Sequence, residues 1–149
     1  MVDQSAFDAS VDAILRAENI YILGCRSAAP LASFLGYYLN LIFDNVHIVT
    51  SSGASEMFEK LFRVNARDVV IGFSFPRYSA ATVKGAQYCR TTGATVIGCT
   101  DSYLSPLGQC CDHVLLAKSD MLSLVDSLVA PLSIVNALIV ALASRREQV

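Results

Sequence analysis

The strongest constraint in this chain is a set of short runs that are apolar at every position. Val69-Val70-Ile71-Gly72-Phe73 shows no polar–apolar alternation, and neither do Ile20-Tyr21-Ile22-Leu23 or Val96-Ile97-Gly98-Cys99. A strand with one face in water alternates with period two. Strands that are apolar on both faces belong in a parallel sheet covered by helices on each side. Strands are predicted at 20–23, 46–49, 69–73, 95–99 and 114–117. The segments between them read as helices. In the second helical segment, Leu31, Phe34, Leu35, Tyr38 and Leu41 recur at helical spacing. Helices are predicted at about 7–16, 27–43, 54–64, from Ser79 to just before Gly93, and 122–146, with a short helix after Ser105-Pro106. Alternating strands and helices, joined by right-handed crossovers, place helices on both faces of one sheet. The fold class is therefore α/β: a three-layer sandwich with a five-stranded parallel sheet in flavodoxin-like order.

Composition narrows the function. A length of 149 residues fits one domain, here taken as 1–149. With 54% hydrophobic and 16% charged residues, the chain must hide much apolar surface, in a covered sheet or in an oligomer interface. Net charge is −2, and the adjacent arginine pair is Arg145-Arg146, so no basic stripe marks a nucleic-acid surface. No direct nucleic-acid binding is expected of this chain. Five cysteines, an odd number without C-x-x-C spacing, suit reduced thiols acting as small core hydrophobes in a cytoplasmic protein, with no metal site. The polar, acidic start argues against a secretory signal. Residues 121–143 are mostly apolar, but Asp126, Pro131 and Asn136 interrupt them. They read as a buried or dimerising helix rather than a membrane span. Leu128, Leu132, Val135, Leu138, Ile139 and Leu142 form its apolar stripe, which covers the sheet, a partner subunit, or both.

In open parallel sheets, ligands bind beyond the carboxyl ends of the strands, near the switch point of the strand order. The loops at that edge are rich in hydroxyls: Ser27 after the first strand; Thr50, Ser51, Ser52 and Ser55 after the second; Ser74 and Ser79 after the third; Thr100, Ser102 and Ser105 after the fourth. Ser27 and Ser79 are expected to open helices. A helix start offers free amides and partial positive charge, a ready phosphate site. From spacing alone, plain N-capping is the simpler reading of both serines, and it does not exclude phosphate binding at the same helix starts. Arg26 and Arg77 lie close before them. They are suited to bidentate grip on phosphate, or to pairing with a loop acid such as Asp101. No G-x-G-x-x-G, Walker loop or G-x-S-x-G elbow is present.

Several stretches carry a family pattern. Asp68-Val-Val-Ile-Gly-Phe-Ser-Phe-Pro-Arg-Tyr-Ser79 resembles the central strand and phosphate loop of SIS (sugar isomerase) domains, and more closely those of RpiR-type regulators with S-F-P-R-Y-S. Gly24-Cys25-Arg26-Ser27 resembles the G-x-R-S first loop of that branch. The run from Gly93 to Asp101, followed by Ser105-Pro106-Leu107, is similar to G-A-x-V-I-x-x-T-D…S-P-L, and Asp126-Ser127-Leu128-Val129-Ala130-Pro131-Leu132 also fits. The likeness covers about residues 20–143. It implies dimerisation, binding of a phosphorylated sugar without a cofactor, and phosphate-binding hydroxyls at Ser27, Ser74 and Ser79. Regulators of this type join such a domain to an N-terminal helix-turn-helix unit, and residues 1–149 are expected to form the effector domain without it. DNA contact would belong to that unit. Two positions depart from the commoner SIS pattern. Pro76 and Arg77 stand where the third loop has a serine and a glycine, and Cys25 stands where the first loop has its second glycine.

The resulting expectation is an effector-sensing domain. Its ligand would be held by Arg26, Ser27, Ser51, Ser52, Ser74, Arg77, Ser79 and Thr100. A sugar-phosphate isomerase is the enzymatic alternative. It needs a base beside the carbonyl, yet Ala80, Ala81 and Thr82 follow Ser79. Glu56 is the candidate base, with a plain reading as an acid in a helix's first turn. His47 is expected in the core and Lys84 on a solvated face. A dimerisation or scaffold module with a vestigial pocket is the third reading.

Overall fold

The structure is a computed structural model that describes residues 3–118, 121–122, 125–126 and 128–147. Five parallel strands make the sheet: β1 (Ile20–Gly24), β2 (Val46–Val49), β3 (Val69–Ser74), β4 (Thr95–Thr100) and β5 (His113–Leu116), in the order β2-β1-β3-β4-β5. The helices are α1 (Gln4–Arg16), α2 (Ala29–Ile42), α3 (Ala54–Leu61), α4 (Ala80–Thr91) and α5 (Val129–Glu147). This is the flavodoxin-like three-layer sandwich that the apolar runs required.

Every residue of β1 and β3 is buried, and the period of two splits their side chains between two cores. Ile20, Ile22, Val69, Ile71 and Phe73 face α1, α2 and α5, where they meet Ile14, Leu35, Val135 and Leu138. Tyr21, Leu23, Val70 and Val96 face α3 and α4, where they meet Met57, Leu61, Val83 and Cys89. Each large aliphatic side chain so covered contributes about 1.5–3 kcal/mol. Cys25, Cys89, Cys99 and Cys110 are buried and free, as small hydrophobes in the core.

β1 leads outward to β2, while β3 leads the other way to β4, so the switch point lies between β1 and β3. Their ends are level: Gly24 pairs with Phe73, and Ser74 with Thr100. A side chain at Gly24 would place its Cβ 2.8 Å from the carbonyl oxygen of Ala28, so only glycine lets the chain turn back this tightly.

Three expectations change. The second helix does not open at Ser27. A 3₁₀ turn, Arg26–Ala28, comes first, and α2 begins at Ala29 with Pro30 in its first turn. The last helix begins at Val129 rather than near 122, because Met121–Leu122 pairs antiparallel with Val125–Asp126. The apolar run continues through both elements and hides that boundary; Ser127, within the same tail, lies outside the described residues. His47 is exposed rather than buried, because β2 is an edge strand. Its ring stacks on Tyr21 at 4.7 Å, and its Nε2 lies 3.1 Å from Asn19 Oδ1.

Helix α5 is long and apolar enough, by length and composition, to cross a membrane. Its Val135, Leu138 and Leu142 nonetheless lie in the core, and Leu128, Leu132 and Ile139 pack against it. The predicted stripe thus covers the sheet, while Val129 and Val140 are exposed on the other side.

Candidate functional site

Ser74 closes β3 at the switch point. It is 2% exposed, and its hydroxyl has no hydrogen-bond partner. An orphan of this kind costs about 1–3 kcal/mol. Two residues earlier, Gly72 faces Thr82 and Leu107, so alternation turns Ser74 to the same side, toward α4. Ser79 is the N-cap of α4, with its Oγ accepting from the amide of Thr82 at 3.3 Å. The first amides of α4 have no intrahelical acceptor, as at every helix start. A buried unpaired hydroxyl therefore faces a helix N-terminus.

Both loops at the switch point hold an arginine in the left-handed region. Arg26 has φ 56° and Arg77 has φ 67°, and they are the non-glycine residues with positive φ among those described. A side chain there crowds the following carbonyl, at a cost of about 1–2 kcal/mol per residue. Such conformations persist where the surroundings over-determine them, and they cluster at functional sites. Both arginines are exposed, as are Ser27 and Ser52.

The neighbouring loops are tied down. The Thr82 hydroxyl donates to Cys25 Sγ at 3.4 Å, and Cys25 in turn donates to the carbonyl of Ser51 at 3.4 Å. Cys25, where a glycine is commoner, thus links the loops after β1 and β2 to the first turn of α4. The Ser51 hydroxyl donates to Glu56 Oε2 at 2.7 Å and accepts from the amide of Gly53 at 3.3 Å. Glu56 is exposed in the first turn of α3. Thr100 is fully buried, and its hydroxyl lies 2.8 Å from that of Ser105, so it braces the loop after β4.

Asp101 does bond the β3 loop, but to Tyr78: the phenol donates to Oδ1 at 2.8 Å and also lies 3.1 Å from Oδ2. Burial, the hydrogen bond and the charge of Asp101 push the Tyr78 phenol up to about 12. Tyr78 lines a cavity of about 330 Å³ with Ser79, Val83, Lys84 and Gln87. Asp101 lines one of about 570 Å³ with Leu116, Lys118, Ser133 and Ile134. Both volumes suit small ligands. Sequence reasoning named Asp101 but missed Tyr78, the aromatic between Arg77 and Ser79; its position inside the loop was the available signal.

Ser27, Ser74 and Ser79, with the two arginines, are thus gathered around the ends of β1 and β3. Ser51 and Ser52 lie one strand away, and Thr100 is turned inward.

Comparison with known proteins places this edge in context. The SIS domain model matches residues 13–141. The sugar isomerase domain of an RpiR transcription factor from Sphaerobacter thermophilus is 31% identical, with a TM-score of 0.93 over 99% of this chain and 82% of that one. The Vibrio vulnificus NanR protein complexed with ManNAc-6P is 18% identical, with a TM-score of 0.84 over 99% of this chain and 57% of NanR. An E. coli CFT073 protein in complex with a phosphosugar is 22% identical, with a TM-score of 0.80 over 96% of this chain and 79% of that one. The last two likenesses show a shared fold alone. No curated protein matches the sequence. The family match runs from α1 into α5, across the whole sheet and the loops after β1, β2, β3 and β4, and on that ground the chain belongs to the SIS domain family.

Proposed function

We propose that this chain is the sugar-phosphate-sensing domain of an RpiR-type transcriptional regulator. The observation that carries the reading is the buried, unpartnered hydroxyl of Ser74 beside the N-terminus of α4. A phosphate there would accept from Ser74 and from the first amides of α4, resolving the orphan donor. Arg26, Ser27, Arg77 and Ser79 complete the seat, with Ser51 and Ser52 at its margin. The likeness to an RpiR domain supports the regulatory setting, and the two proteins solved with phosphosugars support the ligand class. The domain works as a cytoplasmic homodimer. Ligand favours one dimer geometry, and DNA contact belongs to a separate helix-turn-helix unit. Such coupling requires different ligand affinities in the two geometries.

An isomerase of the same fold is the second reading, with Glu56 as base. Glu56 is exposed and already accepts from Ser51, which favours binding without turnover. The test is a thermal-shift screen against sugar phosphates, their unphosphorylated parents and inorganic phosphate, with the same samples assayed for conversion. A ligand at a hundred times its Kd adds about 2.7 kcal/mol. A shift from a sugar phosphate that weakens in Ser74→Ala, without conversion, is the expected result. Conversion that disappears in Glu56→Gln would establish the enzyme instead.

A further inference from the structure

We infer that a second copy of this chain docks on the outer face of α2 and α5, through a two-fold axis. This rests on the homodimer in the reading above and says which face makes it. Residues 29–43 and 128–144 contain no Asp, Glu, Lys or Arg, yet they form helices at the surface. A solvated helix face ordinarily carries charged and polar residues. On α2, Ser33, Tyr37 and Leu41 turn away from the core, and on α5, Ser133, Asn136 and Val140 do so. Each set recurs at three- or four-residue spacing, so each helix has one uncharged outer stripe. Tyr37 is 63%, Leu41 71% and Val140 68% exposed. The opposite layer also exposes apolar side chains, Phe58 and Phe62, but charges are interleaved with them at Glu59, Lys60 and Lys84.

The two stripes form one surface. Leu35 and Leu39 of α2 share a core with Val135, Leu138 and Leu142 of α5. Near the end of α5, the Arg146 guanidinium sits 5.1 Å over the ring of Phe43, the residue that ends α2. The helices therefore lie side by side and run the same way. At about 1.5 Å per residue and about 9 Å between axes, the paired stripes offer a flat area on the order of 400 Å². Side-chain relief and a rim bring such a core toward the roughly 800 Å² per partner that a stable dimer buries. Charge returns at the border, where Arg145 pairs with Asp12 of α1 at 3.1 Å. An uncharged centre rich in tyrosine inside a polar rim is the composition of an interface. Phe34 and Tyr37 each meet the Tyr38 ring edge-on at 5.1 Å. The missing charge also points to the chain's own copy. A two-fold interface sets a patch against itself, so charges near the axis would face like charges. A bilayer fits this face less well. Ser33, Ser133 and Asn136 lie within it and need hydrogen-bond partners, which a second copy supplies and lipid tails do not.

The test is sedimentation equilibrium of the full chain across the micromolar range. The parent should be a dimer. Leu41→Arg and Val140→Glu each set like charges into both halves of the face, and each should weaken self-association about a hundredfold or more. Phe58→Glu, on the opposite layer, should leave it unchanged. The sequence has no tryptophan, so Tyr37→Trp supplies a single reporter even if a charged variant folds poorly. Its emission should be that of a buried indole in the dimer and should move to the red where dilution yields monomer. An indole that emits as in water while the chain is dimeric overturns the inference. So does a monomeric parent, or a Phe58→Glu variant that dissociates while Leu41→Arg stays dimeric. Recruitment of the parent to phosphatidylcholine vesicles, lost in Leu41→Arg, would assign the face to lipid and overturn it as well. Thermal shifts with sugar phosphates, read on the same samples, keep the two readings apart. A dimer built on this face that responds to no phosphorylated probe sinks the sensing reading alone. A responding chain whose dimer uses another face sinks this inference alone.

Discussion

The two ends of the sheet are buried alike and built differently. At the amino end, Asp68 is 3% exposed and accepts from the Asn65 amide at 2.9 Å, from the Asn19 amide at 3.2 Å and from Asn19 Nδ2 at 3.3 Å. Asp112 accepts from the Val96 amide at 2.8 Å and pairs with Arg90 at 3.4 Å, and Arg67 pairs with Glu18. At the carboxyl end, Ser74 is 2% exposed and unpartnered, and both left-handed arginines stand beside it. Burial therefore does not explain the difference. Cavity size does not either: Asp68 lines a cavity of about 290 Å³, comparable to the one beside Ser79 at about 330 Å³. At the amino end the buried carboxylate Asp68 and its neighbour Asp112 are bonded within the chain and support the fold, with Asn45 Oδ1 the unpartnered atom there. The carboxyl end holds the buried, unpartnered Ser74 hydroxyl and the two left-handed residues, at the edge where open α/β sheets place their ligands.

The largest effect should come from the amino end. Asp68→Ala removes a buried acceptor shared by three part-buried donors, and is expected to cost about 3 kcal/mol in chemical denaturation. The ligand-induced thermal shift should survive, since the crevice lies at the far end of the strands. Loss of ligand response in a variant that still folds would break the division of labour. Ser74→Ala is the opposite case. Removing an unpaired hydroxyl should leave the ligand-free protein as stable or more stable by about 1 kcal/mol. It should also weaken sugar-phosphate binding about tenfold, by the loss of one hydrogen bond to a charged group. A variant destabilised as though a bonded serine had been lost would show that the two ends do not differ.

The same division explains what could be read from the sequence. The sheet was legible because a strand covered on both faces announces itself residue by residue, as in Val69–Ser74. The cap at Ser79 was legible because a cap is local. Ser27 was not, because the 3₁₀ turn follows from the left-handed φ of Arg26 and from Gly24 packing under Ala28, neither of which is a pattern of residue types. The exposure of His47 depends on β2 lying at an edge, a property of strand order. Thr100 looked like a site hydroxyl, yet its partner Ser105 approaches only once the loop has folded. The most informative feature of the crevice, an orphan hydroxyl on Ser74, is a tertiary property that residue type alone does not reveal.

The smallest expected effect concerns the bond that joins the loops after β3 and β4, from Tyr78 to Asp101. The pair is partly exposed, so Tyr78→Phe should cost under about 1 kcal/mol at neutral pH. Its pH dependence is more telling. Burial and Asp101 raise the phenol from 10.0 to about 12, so the folded protein keeps this proton after the unfolded chain has lost it. Between those values the unfolded state binds fewer protons, and stability must fall as pH rises. The bond's contribution is whole below pH 10 and gone above about 12. Burial also raises Cys89 and Cys99, from 9.0 to about 12, so the parent protein should begin to lose stability earlier, near pH 9. Tyr78→Phe keeps the cysteine component and lacks the phenol's. Urea midpoints of parent and variant should therefore converge from pH 10 upward. Curves that stay parallel would mean that Tyr78 is not held by Asp101 in solution, and that the carboxyl end is looser than this bond suggests.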